Sequence, residues 1–160
     1  MKIGLVLREL HRSEADLAHE LLQARERHRA DHELHHVAQD LAEWSSRHVR
    51  EIAEVAGPYG EELDPEAGRD TGLARAVRDR ASELLGRSSA PGLLLLRDLR
   101  TIYTKASGVT VDWDMLGQAA QAVRHSDLLD VVQRCFPETR RQARWAEAKL
   151  KESSTQVLVS

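Results

Sequence analysis

From Ile3 the apolar positions recur at alternating steps of four and three residues, through Leu7, Leu10, Leu17, Leu21 and Ala24. That spacing keeps them on one face of an α-helix. Glu14 falls inside the same stripe, where a carboxylate is costly to bury unless something pairs with it. A second stripe follows in Leu34, Ala38, Leu41, Ser45, His48, Ile52 and Val55, and its polar members are Ser45 and His48. If the chain turns back near Arg29 to Asp31, Glu14 lies opposite roughly position 46, because antiparallel partners keep a constant sum of residue numbers. His48 is then about 3 Å from the level of Glu14, at a rise of about 1.5 Å per residue. The pattern therefore predicts that Glu14 and His48 meet between two helices, either as part of a metal site or as a structural polar pair.

The rest of the chain continues the helical rhythm. The first helix is expected from Ile3 to about His28, and Asp31 is a suitable N-cap for a second that runs to about Ala56. Gly57 and Pro58 stop it. Residues 57–72 read as an exposed loop, followed by a short amphipathic helix marked by Leu73, Val77, Leu84 and Leu85. A third main helix starts near Pro91, and its all-apolar Leu93, Leu94, Leu95 and Leu96 predict a deeply buried first turn. Gly108, Val109, Thr110 and Val111 predict a break, after which Asp112 caps a helix carrying Met115, Leu116, Ala119, Ala120 and Val123. The last helical region starts at Ser126 or Asp127, with Leu129, Val132, Phe136, Thr139, Ala143, Ala146 and Leu150 facing inward. Pro137 predicts a kink or restart within it. Residues 153–160 read as a loosely held tail in which Val157, Leu158 and Val159 can dock. The sum is an all-α single domain over 1–160: an antiparallel four-helix bundle whose long crossover, 57–91, carries a short extra helix.

Composition narrows the function classes. Aromatic residues make up 4% of the 160, and a formal net charge of -3 gives no general attraction to nucleic acid. No stretch approaches the roughly 20 apolar residues of a membrane span. One cysteine, Cys135, cannot form an intramolecular disulfide, and with no signal-peptide pattern in MKIGLVLREL the expected location is cytoplasmic.

Candidate chemistry beyond Glu14 and His48 is sparse. His11, on the neighbouring face of the first helix, could join them, and imidazole with carboxylate suits iron, manganese or zinc. His32 and His36 lie four apart on one helix face, within the wider group His28, His32, His35 and His36. They offer a surface metal site, a switch near pH 6 to 7, or simply a polar turn. Cys135 has no neighbouring base and reads as a buried inert thiol. Arg140, Arg141, Arg144, Lys149 and Lys151 alternate with Glu138, Glu147 and Glu152, the pattern of a solvated face. No phosphate-cradling loop, nucleophile elbow, His-Glu-x-x-His or Cys-x-x-Cys is present.

Several of these positions together resemble the ferritin-like proteins. They are Glu14, the run Leu41-Ala42-Glu43-Trp44-Ser45-Ser46-Arg47-His48-Val49, Asp98 and Tyr103, Trp113, Leu116 and Gln118-Ala119-Ala120, then Thr139, Arg141-Gln142, Trp145 and Lys151-Glu152. The chain is most similar to largely uncharacterised actinobacterial bundles and distantly to the YciE-like stress proteins. The resemblance implies a ferritin-like helix order and a metal-binding ancestry. A ferritin-like di-iron site takes a Glu from each of two helices and a Glu-x-x-His from each of the other two. Here Glu43 and His48 are five apart, the third helix offers only Asp98, and the fourth offers Glu138 and Gln142 without a His. The expected protein is a ferritin-like bundle without a complete di-iron site, acting as a binding or structural module. It is expected to self-associate and to bind neither nucleic acid nor membrane. The alternatives are a di-iron or single-metal oxidase or storage protein, and a small-molecule carrier with a cavity opened near Gly108 and Pro137.

Overall fold

The computed structural model of the protein describes residues 2–70 and 90–160. Among them are four long helices: α1 (Ile3–Arg27), α2 (His32–Ala56), α3 (Pro91–Val123) and α4 (Ser126–Val159). A 3-10 turn, Gly57–Tyr59, follows α2 directly, and Gly60 then takes the left-handed φ of 81° that releases the chain from the helix. The short helix expected over Leu73 to Leu85 lies outside the described residues. No helix among the described residues is long and apolar enough to cross a membrane.

Cross-helix contacts fix the direction of each helix. In the first hairpin Glu14 meets His48 and Arg25 meets Gln39. In the second, Gly117 faces Val132 and Gly92 faces Val157. Between hairpins, α1 meets α3 where Arg27 reaches Asp98 and Glu14 reaches Trp113, and α2 meets α4 where Ser45 reaches Gln142 and Glu51 reaches Cys135. The residue numbers rise on one partner as they fall on the other in all four cases. Each adjacent pair is therefore antiparallel, and α2 and α3 run parallel across a diagonal. The connection must return along the bundle, and its described part does so. Tyr59 lies against Gly4, the Asp64 carbonyl accepts from His11, the Gly68 carbonyl accepts from Ser46, and Asp70 pairs with Arg25.

The core joins all four helices, with Leu7, Leu10, Leu17, Leu34, Ile52, Leu99, Ile102, Leu116 and Leu128 almost wholly buried. The turn into α2 is where the periodicity places it. Asp31 caps the helix by accepting from the Leu34 backbone N–H at 3.0 Å, and it also pairs with Lys149 Nζ of α4 at 3.1 Å. Asp31→Ala should lower stability by about 1 kcal/mol through the cap alone. Urea denaturation checks this, and an unchanged midpoint would show that the cap contributes nothing.

Four expectations need correction. The third helix does not break at Gly108, because α3 is continuous from Pro91 to Val123. A helix-interior glycine costs about 1 kcal/mol, whereas burying Val109 and Trp113 gains about 1.5–3 kcal/mol each, and both fall on the inner face only if the helix continues. Thr110 helps by returning its hydroxyl to the Ala106 carbonyl at 2.7 Å. Similarly, α4 does not restart at Pro137. The carbonyl that Pro137 cannot satisfy belongs to the exposed Gln133, where water can replace the lost bond. The first turn of α3 is also not deeply buried, since Leu93 is 53% exposed and Leu94 to Leu96 are half-buried. Finally, residues 153–159 complete α4, with Ser153 buried and Val157 packed on Gly92, while Leu158 and Val159 remain exposed.

Candidate functional site

The middle of the bundle is polar. Glu14 from α1, Ser45 and His48 from α2, Trp113 from α3, and Thr139 and Gln142 from α4 are all fully buried. Each sits on its helix's inward stripe, so the helical period that carries the leucines inward carries these groups to one level.

Glu14 is the hub. Its Oε1 accepts from His48 Nδ1 at 3.0 Å, from the Trp113 indole N–H at 2.8 Å and from the Thr139 hydroxyl at 3.2 Å. The Thr139 proton is shared, since the Cys135 carbonyl lies 3.1 Å from the same hydroxyl. One carboxylate oxygen thus gathers donors from the three other helices. Gln142 adds a second knot, giving both amide protons to α2, one to the Leu41 carbonyl and one to Ser45 Oγ, each at 2.8 Å. His48 also packs edge-on against Trp113, with ring centres 6.2 Å apart.

His48 stands between two carboxylates. Nδ1 faces Glu14, and Nε2 faces Glu138 Oε1 at 3.5 Å, an ion-pair distance. Glu138 lies nearer the surface, where its other oxygen pairs with Arg47. Burial works against a charged imidazole, but the charge of Glu14 and the interactions with Glu138 outweigh it and push the pKa of His48 up to about 9. The interaction with His48, followed by that with Arg47, outweighs desolvation and lowers Glu138 to about 2. Glu14, His48, Glu138 and Arg47 therefore form a line of alternating charge from the core to the surface. Below it, Cys135 donates its S–H to Glu51 Oε2 at 3.1 Å. Burial first, and Glu51 second, push that thiol far above its ordinary pKa.

The predicted pairing of Glu14 with His48 is present. His11 is engaged elsewhere, its Nε2 donating to the Asp64 carbonyl at 2.7 Å, so it ties the connection to α1. The other histidines of the predicted cluster take different partners, and His35 and His36 meet edge-on with ring centres 5.4 Å apart. His28 Nε2 bonds Asp98 at 2.8 Å beside Arg27, His35 donates to the Arg25 carbonyl at 3.3 Å, and His32 and His36 stand exposed on α2. Among the described residues no group of three or more His, Cys, Asp or Glu side chains is arranged to hold a metal ion. Sequence reasoning missed Trp113 and Thr139 as partners of the pair, and Gln142 as the second knot beside it. The available signals were a threonine inside an apolar stripe and a tryptophan whose N–H needs an acceptor once buried. Comparison with known proteins gives no match: no protein-family model, no curated protein and no solved structure matches this chain.

Proposed function

We propose that this chain is a ferritin-like bundle that works as a binding or structural module, with an internal ion-pair network where ferritin-like metalloproteins carry their ligands. The helix directions and the connection that returns along α1 and α2 support the ferritin-like order. The observation that carries the reading is the occupancy of Glu14 Oε1 by donors from three other helices. A carboxylate oxygen so engaged has little left for a metal, and an imidazolium between two carboxylates has no lone pair to offer one. The network instead fixes the register of all four helices, the best-attested use of a polar group in a helical core.

A metal-binding reading draws on a different observation: Glu14 Oε2, His48 Nε2 and Gln142 Oε1 are buried without a hydrogen-bond partner among the described residues. An ion there would first have to displace the proton of His48. Elemental analysis of tag-free protein, after growth with added iron, manganese and zinc, separates the two readings. The expected result is no stoichiometric metal in the wild type. Near-stoichiometric metal that disappears in both Glu14→Ala and His48→Ala would overturn the proposal. Self-association belongs to the same proposal. Its support is exposed apolar surface at Leu5, Val111 and Met115, the last two one turn apart on α3. Sedimentation showing only monomer at micromolar concentration would remove it.

A further inference from the structure

The two hairpins are joined along two edges of unlike chemistry. Along α1 and α3 the buried side chains are chiefly apolar, with Leu7, Leu10, Leu17 and Leu21 on one helix and Leu99, Ile102, Ala106, Val109 and Leu116 on the other, and the polar contacts are those of Arg27 and His28 with Asp98 and of Trp113 with Glu14. Along α2 and α4, side-chain hydrogen bonds and ion pairs recur along the whole edge. Arg134 and Cys135 meet Glu51, Glu138 meets Arg47 and His48, Gln142 meets Ser45 and the Leu41 carbonyl, and Lys149 meets Asp31 and Glu33. The buried positions of α4 from Cys135 to Ser153 are Cys135, Thr139, Gln142, Ala146, Lys149 and Ser153, of which only Ala146 and the thiol are apolar.

At one end this edge widens, closed at its outer rim by the hydrogen bond between Tyr59, in the turn after α2, and His125, the N-cap of α4. A cleft of about 750 Å³ lies there, walled by Glu51, Glu54 and Val55 of α2 and by Leu128, Val131 and Arg134 of α4. Its inner limit is the Glu51 contact with Arg134 and Cys135, and the next contact inward is Glu138 with His48 and Arg47.

We propose that the α2–α4 edge is the opening edge of the molecule, with the hairpins parting there from the cleft inward while the α1–α3 edge holds as the spine. The physical reason is the balance of the two interfaces. Separating apolar surfaces exposes them to water at about 25 cal/mol per Å². Separating ion pairs and hydrogen bonds exchanges them for water, and rehydration recovers most of what is lost. Arg47 and Arg134 already keep about half of their side-chain surface in water, at 46% and 57% exposure, so their pairs are screened and cheap to part. Openings below the global unfolding free energy are drawn from such weakly held boundaries. Opening would give solutes access from the cleft to the Glu14–His48 centre, which fits a module whose binding surface lies inside. The proposal rests on the polar seam and the cleft, and it stands whether or not that centre proves to hold a metal.

The single native cysteine reports on it. Cys135 is fully buried within the seam, so thiol labelling of the wild type by a disulfide reagent at fixed pH, with increasing urea, measures its exposure directly. Labelling through seam opening should run at least about tenfold faster than global unfolding allows, with a urea dependence well below the equilibrium unfolding slope, because little surface is exposed. Glu51→Gln, which weakens the contact nearest the cleft, should speed labelling several-fold more than it shifts the unfolding midpoint. As a control, Ala106→Cys in a Cys135→Ser background puts the thiol on α3 in the apolar core and should label only at the global rate. A Cys135 rate that equals global unfolding and shares its full urea slope would overturn the proposal, and the wild type alone supplies that result if the control variant fails to fold.

Discussion

His48→Ala is expected to cost about 3–5 kcal/mol, the range for removing one partner of a buried ion pair. Two effects combine. The fully buried Glu14 loses the donor at 3.0 Å and keeps only Trp113 and the shared Thr139 proton, so its charge is left largely uncompensated. The imidazole also leaves a void between α1, α2 and α3 that close packing cannot fill without rearrangement. Urea denaturation should show a lower midpoint with an unchanged slope, which locates the loss in the native state. Replacing both Glu14 and His48 by leucine should cost clearly less than the two single replacements added together, because the double variant buries no orphaned charge. An unchanged midpoint in His48→Ala would show that the pair holds nothing together.

The same pair makes stability fall in mild alkali. The folded-state pKa of His48, raised from 6.5 to about 9, means that the native protein holds a proton that the unfolded chain releases. Its contribution is fully present below pH 6.5 and is lost as pH rises through about 9. At about 1.4 kcal/mol per pKa unit, the loss is about 3 kcal/mol at most. Glu138 acts in the opposite direction. Its folded pKa is lowered from 4.5 to about 2, so its contribution is present above pH 4.5 and is lost as pH falls toward 2. Between these limbs the pair contributes fully. Unfolding free energies measured from pH 6 to pH 10 in wild type and in His48→Gln provide the check. The variant should be less stable at pH 6 and should have a distinctly flatter alkaline limb. Parallel alkaline limbs in the two proteins would mean that His48 is not charged in the fold.

How far the polar centre could be read in advance depends on the distance between its parts along the chain. Glu14 and His48 lie on helices joined by a tight turn, so one constraint, the turn near Asp31, converts two stripes into a register. Trp113 and Thr139 lie 99 and 125 residues from Glu14, beyond a long connection, and no local rule places them at its level. Their roles emerge only once α3 lies antiparallel to α1. The overcautious break at Gly108 and restart at Pro137 have a related origin. Propensity assigns each residue a cost of a kilocalorie or a few, but whether the cost is met depends on what the continued helix buries, and that is a property of its neighbours.

The sequence by itself determined that this protein is helical, where α1 and α2 begin and end, which faces of those two helices turn inward, and that a carboxylate and an imidazole from the first hairpin would meet. Those features follow from the helical period and from capping, which act over a few residues. Only the tertiary structure decided that α2 and α3 run parallel, that His48 stands between Glu14 and Glu138, that Trp113 and Thr139 complete the hub, and that hydrogen bonds and ion pairs line the α2–α4 edge. Each of these depends on groups far apart in the chain meeting at one level. The free energy that brings them there is the burial of the shared apolar core, which no single segment contains.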